Sequence, residues 1–196
     1  MTSSRTAILI LAAGSSSRLG LPKQLLQLDQ KSLLRRIAET ALELHPAEVV
    51  VVLGFESDRM KHELRDLAVK IVLNHDWQEG IASSLRNGMA SLSPTVDGVL
   101  IALCDQPFIP VTHLNRLIGS CSVQHPIAAT SYEPSPGVPA CFHRTLFPEL
   151  LTLTGDSGAR RIIGKHIQET TVFPCAEASI DIDTASDYRQ YFDPGR

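Results

Sequence analysis

Two cations and two glycines follow the first apolar run of the chain. Residues Ala7–Ala13 are all apolar, and they lead into Gly14–Gly20, GSSSRLG, which is followed by Pro22 and Lys23. An apolar run bounded by glycine is typical of a buried strand in a parallel sheet. The loop after such a strand can turn its backbone N–H groups toward an anion, while Arg18 and Lys23 supply positive charge. The spacing matches neither GxGxxG nor GxxxxGK[ST], yet it predicts a phosphate or nucleotide site. The alternative is an ordinary strand-to-helix loop with two solvated charges.

A carboxylate follows a second apolar run. Asp105 comes shortly after Gly98–Leu103, GVLIAL, and stands two residues before Pro107, which disfavours a helix there. Magnesium prefers oxygen ligands and is typically held by one or two carboxylates together with substrate phosphates. Asp105 is therefore a candidate Mg²⁺ ligand beside the phosphate loop, and the alternative is a turn-forming aspartate.

Two further carboxylates lie near the end of the sequence, in Asp181-Ile-Asp183-Thr184. Alternation puts both on one side of an extended segment, so a second metal ligand could come from here. The alternative is that they only favour the start of a final helix.

Small polar residues follow two other predicted strands. Asn74 precedes Gly80, Ser83 and Ser84, where a helix N-terminus could contact an anion or a ribose. The segment 155–161, GDSGARR, could form a second anion site. In both places the alternative is a plain helix cap.

The histidines and cysteines point to no other chemistry. The seven histidines show no HxxxH or HExxH spacing, and no serine stands in GxSxG, so neither zinc nor hydrolase chemistry is supported. The four cysteines contain no CxxC pair, which is typical of reduced, buried, cytosolic thiols. They are Cys104, Cys121, Cys141 and Cys175.

The composition indicates an ordinary globular protein. The 196 residues are 43% hydrophobic and 20% charged, with a formal net charge of −3. We therefore expect one domain, residues 1–196, in the cytoplasm, with no nucleic-acid or membrane partner. The first apolar run is too short to span a bilayer and lacks the features of a signal peptide.

Strand and helix patterns alternate along the chain. They predict an α/β fold, a three-layer αβα sandwich around a mostly parallel sheet. Ser32 and Thr112 are predicted as helix N-caps, and residues 131–168 as a sub-lobe over the strand ends.

Six segments occur in the order found in one family. They are LAAGSSSRLGLPKQLL, NHDWQEGIASSLRNGM, LCDQPF, GVPACF, GDSGARRI and DIDTASDY. The chain resembles the MobA-like nucleotidyltransferases, and within them it looks most like the molybdenum cofactor cytidylyltransferase branch. The sheet is then expected to be Rossmann-like, of the nucleotide-diphospho-sugar transferase type. Guanylyltransferase relatives have LAGG, whereas Ala13 stands here in LAAG.

This resemblance implies a role for each candidate residue. Lys23, Arg18 and Asp105 would be catalytic, and Mg²⁺ would lie on Asp105 and Asp183. The nucleoside triphosphate would contact Leu11, Ala12, Ala13, Gly14, Ser15, Ser16, Ser17, Arg18, Gly20, Lys23, Asn74, Gly80, Ser83 and Ser84. The acceptor, a phosphorylated pterin, would enter beside Gly137, Gly155 and Arg160.

The implied reaction moves a nucleoside monophosphate, CMP in preference, from the triphosphate to the phosphate of molybdopterin or molybdenum cofactor. The attacking phosphate has a second pKa of about 6, so it is largely ionised at neutral pH and needs no side-chain base. Three alternatives remain: another phosphorylated acceptor, ATP or GTP as donor, or a non-catalytic carrier of the cofactor. A molybdoenzyme or its chaperone could receive the product.

Overall fold

A seven-stranded sheet forms the centre of the protein. It is described here from a computed structural model that covers residues 5–16, 22–180 and 187. Over these residues the strands are β1 (Thr6–Ala12), β2 (Gln27–Leu28), β3 (Lys31–Ser32), β4 (Glu48–Leu53), β5 (Lys70–Leu73), β6 (Gly98–Leu103), β7 (Ile127–Ser131), β8 (Gly137–His143) and β9 (Thr170–Pro174). The α-helices are α1 (Leu33–Glu43), α2 (Ser57–Leu64), α3 (Ile81–Ala90), α4 (Val111–Ser120), α5 (Phe147–Leu151) and α6 (Arg160–Lys165).

The order of strands in the main sheet is β5-β4-β1-β6-β8-β7-β9. Neighbouring strands are parallel except that β8 runs antiparallel to both β6 and β7. The short strands β2 and β3 pair separately as an antiparallel hairpin. The mostly parallel sheet with helices on both faces confirms the predicted sandwich.

Alternation along β1 divides the core into two layers. Ile8 and Ile10 face a cluster that includes side chains of α1, α2 and α4. Leu9 and Leu11 face the opposite cluster, which includes side chains of α3, α5 and α6. Because β1 is buried on both faces, a continuous apolar run is what its position requires.

One of the two predicted helix caps is confirmed. The side chain of Ser32 accepts a hydrogen bond from the Arg35 N–H at 3.2 Å, and α1 begins at Leu33. The prediction for Thr112 is wrong, because α4 already begins at Val111. Its first turn is closed by the carbonyl of Pro110, which accepts from the His113 N–H at 3.0 Å.

The cysteine prediction holds for three of the four thiols. Cys104, Cys141 and Cys175 are buried, whereas Cys121 at the end of α4 is half-buried and corrects the prediction. All four are free thiols.

The predicted sub-lobe, residues 131–168, contains an inner strand of the main sheet, β8. Its helices α5 and α6 contribute side chains to the core cluster of α3. The sub-lobe itself stays a prediction. Among the described residues, no helix has both the length and the apolar character needed to cross a membrane.

Candidate active site

The carboxyl ends of the parallel strands meet at one edge of the sheet. The chain runs outward from β1 through β4 to β5, and then starts again at β6 on the other side of β1. Leu11 and Leu103 are register partners at the ends of β1 and β6. In open α/β sheets, ligands bind at the point where the strand order reverses. The phosphate loop and Asp105 follow these two strands, so the topology alone brings them together.

A cavity of about 350 Å³ opens at this point, and we name it the nucleotide cavity after the ligand that the sequence predicts for it. Asp105 lies beside the loop residues that the sequence analysis assigned to the nucleotide. The predicted nucleotide-binding residues that line the cavity are Leu11, Ala12, Ala13, Gly14, Ser15, Ser16, Lys23, Gly80 and Ser84. The predictions for Ser17, Arg18 and Gly20 fall outside the described residues and stay predictions.

The side chain of Gln24 fixes the shape of the first loop. Its Nε2 donates to the carbonyl oxygens of Ala12 at 3.0 Å and Gly14 at 2.7 Å. Ser16 has a left-handed backbone with φ of 51°, and its hydroxyl accepts from the Lys23 N–H at 3.3 Å. Two carbonyls of the loop are therefore bonded to Gln24, which favours a loop whose N–H groups face the cavity.

Lys23 and Asp105 form an ion pair inside the cavity. Nζ of Lys23 lies 2.5 Å from Oδ2 of Asp105, and the two side chains are 19% and 14% exposed. Because the pair is largely shielded from water, its attraction is stronger than that of a surface pair. The sequence predicted both residues for the site but not their direct contact.

The second oxygen of the same carboxylate is the better candidate for a metal. Oδ1 of Asp105 is buried and has no hydrogen-bond partner. No group of three histidine, cysteine or acidic side chains that could hold a metal is found across residues 5–16, 22–180 and 187. A carboxylate oxygen without a hydrogen-bond partner, completed by substrate phosphates, fits the way proteins hold Mg²⁺. Asp183, the predicted second ligand, lies outside the described residues.

Asn74 and the serines of α3 form a buried network beside the cavity. Asn74 is 2% exposed, and its Nδ2 lies 2.8 Å from Oγ of Ser83 and 2.9 Å from Oγ of Ser84. The Ser83 hydroxyl lies 2.9 Å from each of the carbonyl oxygens of Asp76 and Gly80, to which it can donate. These bonds hold the loop 74–80 against the start of α3. The nucleotide contacts of Asn74 and Ser83 stay predictions, and the geometry gives both residues a positioning role.

A second cavity of about 290 Å³ adjoins the first. Two of the residues predicted to bind the acceptor, Gly137 and Arg160, line it, and Asp105 lies on the wall that it shares with the nucleotide cavity. Gly155 does not line it; instead, its carbonyl accepts a hydrogen bond from the Ala82 N–H at 3.1 Å. The acceptor contacts stay predictions, and the hydrogen bond of Gly155 gives that residue a role in supporting α3.

Several side chains of the site were not predicted from the sequence. Asp156 lines both cavities, Gln24 shapes the first loop, and Trp77 lines the nucleotide cavity. A Cβ atom at Gly54 would lie 2.8 Å from Cβ of Trp77, so glycine there lets the indole pack against the end of β4. Asp156 and Gln24 stood inside motifs that had been noticed, and their polarity was the available signal.

Cys104 also lines the nucleotide cavity and is 3% exposed. Burial and, to a smaller extent, the neighbouring Asp105 carboxylate raise its pKa, which is about 12 once the opposing effect of Lys23 is included. The thiol is therefore protonated at neutral pH, which argues against a thiolate nucleophile.

Two similar proteins align with nearly the whole chain. Nicotine blue oxidoreductase of Paenarthrobacter nicotinovorans is 35% identical over 186 residues, which cover 89% of this chain and 90% of that protein. Purine catabolism protein PucB of Bacillus subtilis (strain 168) is 29% identical over 189 residues, which cover 91% of each.

A solved structure has nearly the same fold. The crystal structure of Rv0371c from Mycobacterium tuberculosis H37Rv gives a TM-score of 0.85 at 28% identity, over 96% of this chain and 98% of that one. A complex of Rv0371c with manganese gives a TM-score of 0.81 at 26% identity, over 97% and 100%. The family model described as MobA-like NTP transferase domain matches residues 8–170. The chain therefore belongs to the MobA-like NTP transferase family of nucleotidyltransferases.

Proposed function

We propose that this protein transfers a nucleoside monophosphate, CMP in preference, from a nucleoside triphosphate to the phosphate of molybdopterin or molybdenum cofactor and releases pyrophosphate. The observation that carries the proposal is the position of Asp105 on the wall between two adjoining cavities. A group-transfer enzyme must hold a donor and an acceptor with their reacting atoms in contact. Two cavities that share one carboxylate fit that requirement.

In the proposed reaction, a phosphate oxygen of the acceptor forms a bond to the α-phosphorus, and the bond from that phosphorus to the pyrophosphate oxygen breaks. The acceptor phosphate is already ionised at neutral pH, so the protein needs no general base. Catalysis then depends on positioning and on neutralising charge.

The chain supplies both effects from residues of the nucleotide cavity. Gln24 holds the carbonyls of Ala12 and Gly14, and the N–H groups of the same loop would contact the triphosphate. Lys23 exchanges Oδ2 of Asp105 for phosphate oxygens, and Arg18 adds a second positive charge. Mg²⁺ on Asp105 and Asp183 would neutralise charge on the reacting phosphates. The manganese complex of Rv0371c supports a divalent metal in a similar fold.

The preference for CTP and for a pterin acceptor rests on the sequence resemblance to the cytidylyltransferase branch. ATP or GTP as donor, and another phosphorylated acceptor, are the alternatives within the same chemistry. We place the reaction in the cytoplasm, within one domain of residues 1–196, with a molybdoenzyme or its chaperone as recipient of the product.

The test is pyrophosphate release from CTP, ATP and GTP, each with and without molybdopterin, and each with Mg²⁺ or Mn²⁺. We expect release only with molybdopterin and fastest with CTP. Release with GTP or ATP but not with CTP would identify a donor other than CTP. Binding of molybdopterin without release under any condition would favour the carrier.

A second candidate function comes from the relative that is named an oxidoreductase and is 35% identical to this chain. In that case the nucleotide cavity would hold a redox dinucleotide. The Lys23–Asp105 pair and the unpartnered Oδ1 of Asp105 favour a triphosphate with a metal instead. Oxidation of NADH or NADPH by this protein in the presence of a quinonoid dye, followed at 340 nm, would support the second candidate; pyrophosphate release would support the first.

A further inference from the structure

Gln106 is a buried amide in the second cavity. It follows Asp105 directly, is 5% exposed and lines the same cavity as Gly137 and Arg160. A polar side chain buried to this degree is normally fully hydrogen-bonded.

The orientation of this amide is fixed by its neighbours. Nε2 lies 2.8 Å from the hydroxyl of Tyr132 and 2.9 Å from the carbonyl oxygen of Ala178. A carbonyl oxygen can only accept, so the atom facing Ala178 must be the NH₂ group. The Tyr132 hydroxyl donates to the carbonyl of Val138 at 2.7 Å, which leaves its oxygen to accept from Gln106.

This arrangement leaves Oε1 of Gln106 buried without a hydrogen-bond partner. Burying an acceptor without a donor is unfavourable, and rotating the amide would place Oε1 against the Ala178 carbonyl. A ligand that brings an N–H group to Oε1 would remove that cost.

The rest of the cavity adds further acceptors. Asp105 and Asp156 contribute carboxylates to its lining. The guanidinium of Arg160 is turned toward the carbonyl oxygens of Ser135 and Pro136, at 3.0 and 3.3 Å. A ring that carries several N–H donors suits such a lining.

We propose that Oε1 of Gln106 accepts a hydrogen bond from an N–H donor of the acceptor's nitrogen heterocycle and so determines the specificity of the second cavity. The inference rests on the proposed function and deepens it, because it assigns the ring of the acceptor to this cavity. Pterins carry such donors, as an exocyclic amine and a ring N–H on one edge.

The experiment measures direct binding without nucleotide, by calorimetry. The probes are 6-hydroxymethylpterin monophosphate, its 2-desamino analogue and its N3-methyl analogue, each analogue lacking one donor. We expect the wild-type protein to bind at least one analogue about tenfold more weakly than the parent compound. Equal affinity for all three would overturn the proposal without any variant.

The matched variants are Gln106→Met, which keeps the side-chain length, and Gln124→Met, an exposed glutamine. Gln106→Met should bind the parent compound about tenfold more weakly than wild type does. It should also bind the parent compound no more tightly than the analogue that wild type discriminates against. Gln124→Met should behave as wild type. Wild-type affinity in Gln106→Met, or discrimination that persists in it, would refute the role of Oε1.

Turnover separates this inference from the proposed function. With molybdopterin and CTP, Gln106→Met should raise the KM for molybdopterin and leave the KM for CTP unchanged, which also shows that the variant is folded. If Gln106→Met released pyrophosphate with an unchanged KM for molybdopterin, the inference would be wrong and the proposed function would stand. Pterin binding that depends on Gln106, without any release, would sink the proposed function alone.

Discussion

Nζ of Lys23 lies 2.5 Å from Oδ2 of Asp105, although the two residues are 82 positions apart in the sequence. The contact joins the loop after β1 to the loop after β6. It places the cation of the proposed triphosphate site on the carboxylate of the proposed metal site. Each charge therefore compensates the other, and the proposed binding of a metal and a triphosphate would separate them.

Removing either partner should stop the reaction. We expect Lys23→Ala and Asp105→Ala each to lower turnover at least about a hundredfold, because each removes charge stabilisation that the reaction needs. Pyrophosphate release under saturating CTP and molybdopterin measures the effect. Near-normal activity in either variant would contradict the mechanism.

For metal binding, the two substitutions should have opposite effects. Lys23→Ala leaves the shielded Asp105 carboxylate without its counter-ion, so the free protein should unfold at a lower temperature. Added Mn²⁺ should raise its melting temperature more than it raises that of wild type, because no ammonium competes for the carboxylate. Asp105→Ala, the control, should show little response. An equal shift in all three proteins would argue against a metal at Asp105.

Gln24 should matter for nucleotide binding. Gln24→Met removes the amide that binds the carbonyls of Ala12 and Gly14, so the loop loses its fixed shape. We expect the KM for CTP to rise about tenfold with a smaller change in the KM for molybdopterin. Gln27→Met, an exposed neighbour, is the control and should match wild type. An unchanged CTP KM in Gln24→Met would show that the loop holds its shape without this amide.

Glycine is required at position 80 by the backbone conformation there and by the closeness of neighbouring atoms. Its φ is 104°, and a Cβ atom there would lie 2.5 Å from the backbone of Gly155 and from Oδ1 of Asp156. Gly80→Ala should lower the free energy of unfolding by about 2 kcal/mol and displace the wall that the two cavities share. Urea denaturation measures the stability.

The matched control for this change is Gly119→Ala in α4, where the added Cβ meets nothing within 4 Å. Because alanine favours a helix, that variant should be neutral or more stable by up to about 1 kcal/mol. If the two variants were equally stable, the close approach of Gly80 to the loop 155–156 would make no contribution to the free energy of unfolding.

The protein should become less stable as the pH is lowered, because of His113. Burial lowers the pKa of this imidazole below the usual 6.5, the charge of Arg116 lowers it further, and Glu177 acts in the opposite sense. Its Nε2 lies 2.9 Å from Oγ1 of Thr130, whose hydroxyl donates to a carbonyl, so the neutral ring acts as a donor there.

As the pH falls below 6.5, the unfolded chain takes up a proton at His113 before the folded chain does, so the free energy of unfolding decreases. The loss ends once the pH is below the folded pKa. Urea denaturation from pH 7.5 to pH 5 should show a shallower pH dependence for His113→Gln, whose amide can still donate to Thr130. Identical slopes in variant and wild type would assign the pH dependence to other groups.

The sequence by itself determined the fold class and the edge of the sheet where the site lies. Apolar runs such as Ala7–Ala13 and Gly98–Leu103, bounded by glycine or turn residues, are typical of buried strands, and parallel strands place the residues that follow them at one edge. Gly14, Lys23 and Asp105 could therefore be assigned to one site without coordinates. The helix cap at Ser32 was also predictable, since it depends on residues three positions apart.

Only the tertiary structure decided how the side chains divide the work. Asn74 and Ser83 are predicted ligand contacts from the sequence, and the structure adds a buried hydrogen bond between them. Gln24 and Gln106 became visible only when their partners, which are distant in the sequence or belong to the backbone, were in place. The physical reason is that strand patterns report local burial, whereas the pairing of one donor with one acceptor depends on where loops from separate strands meet.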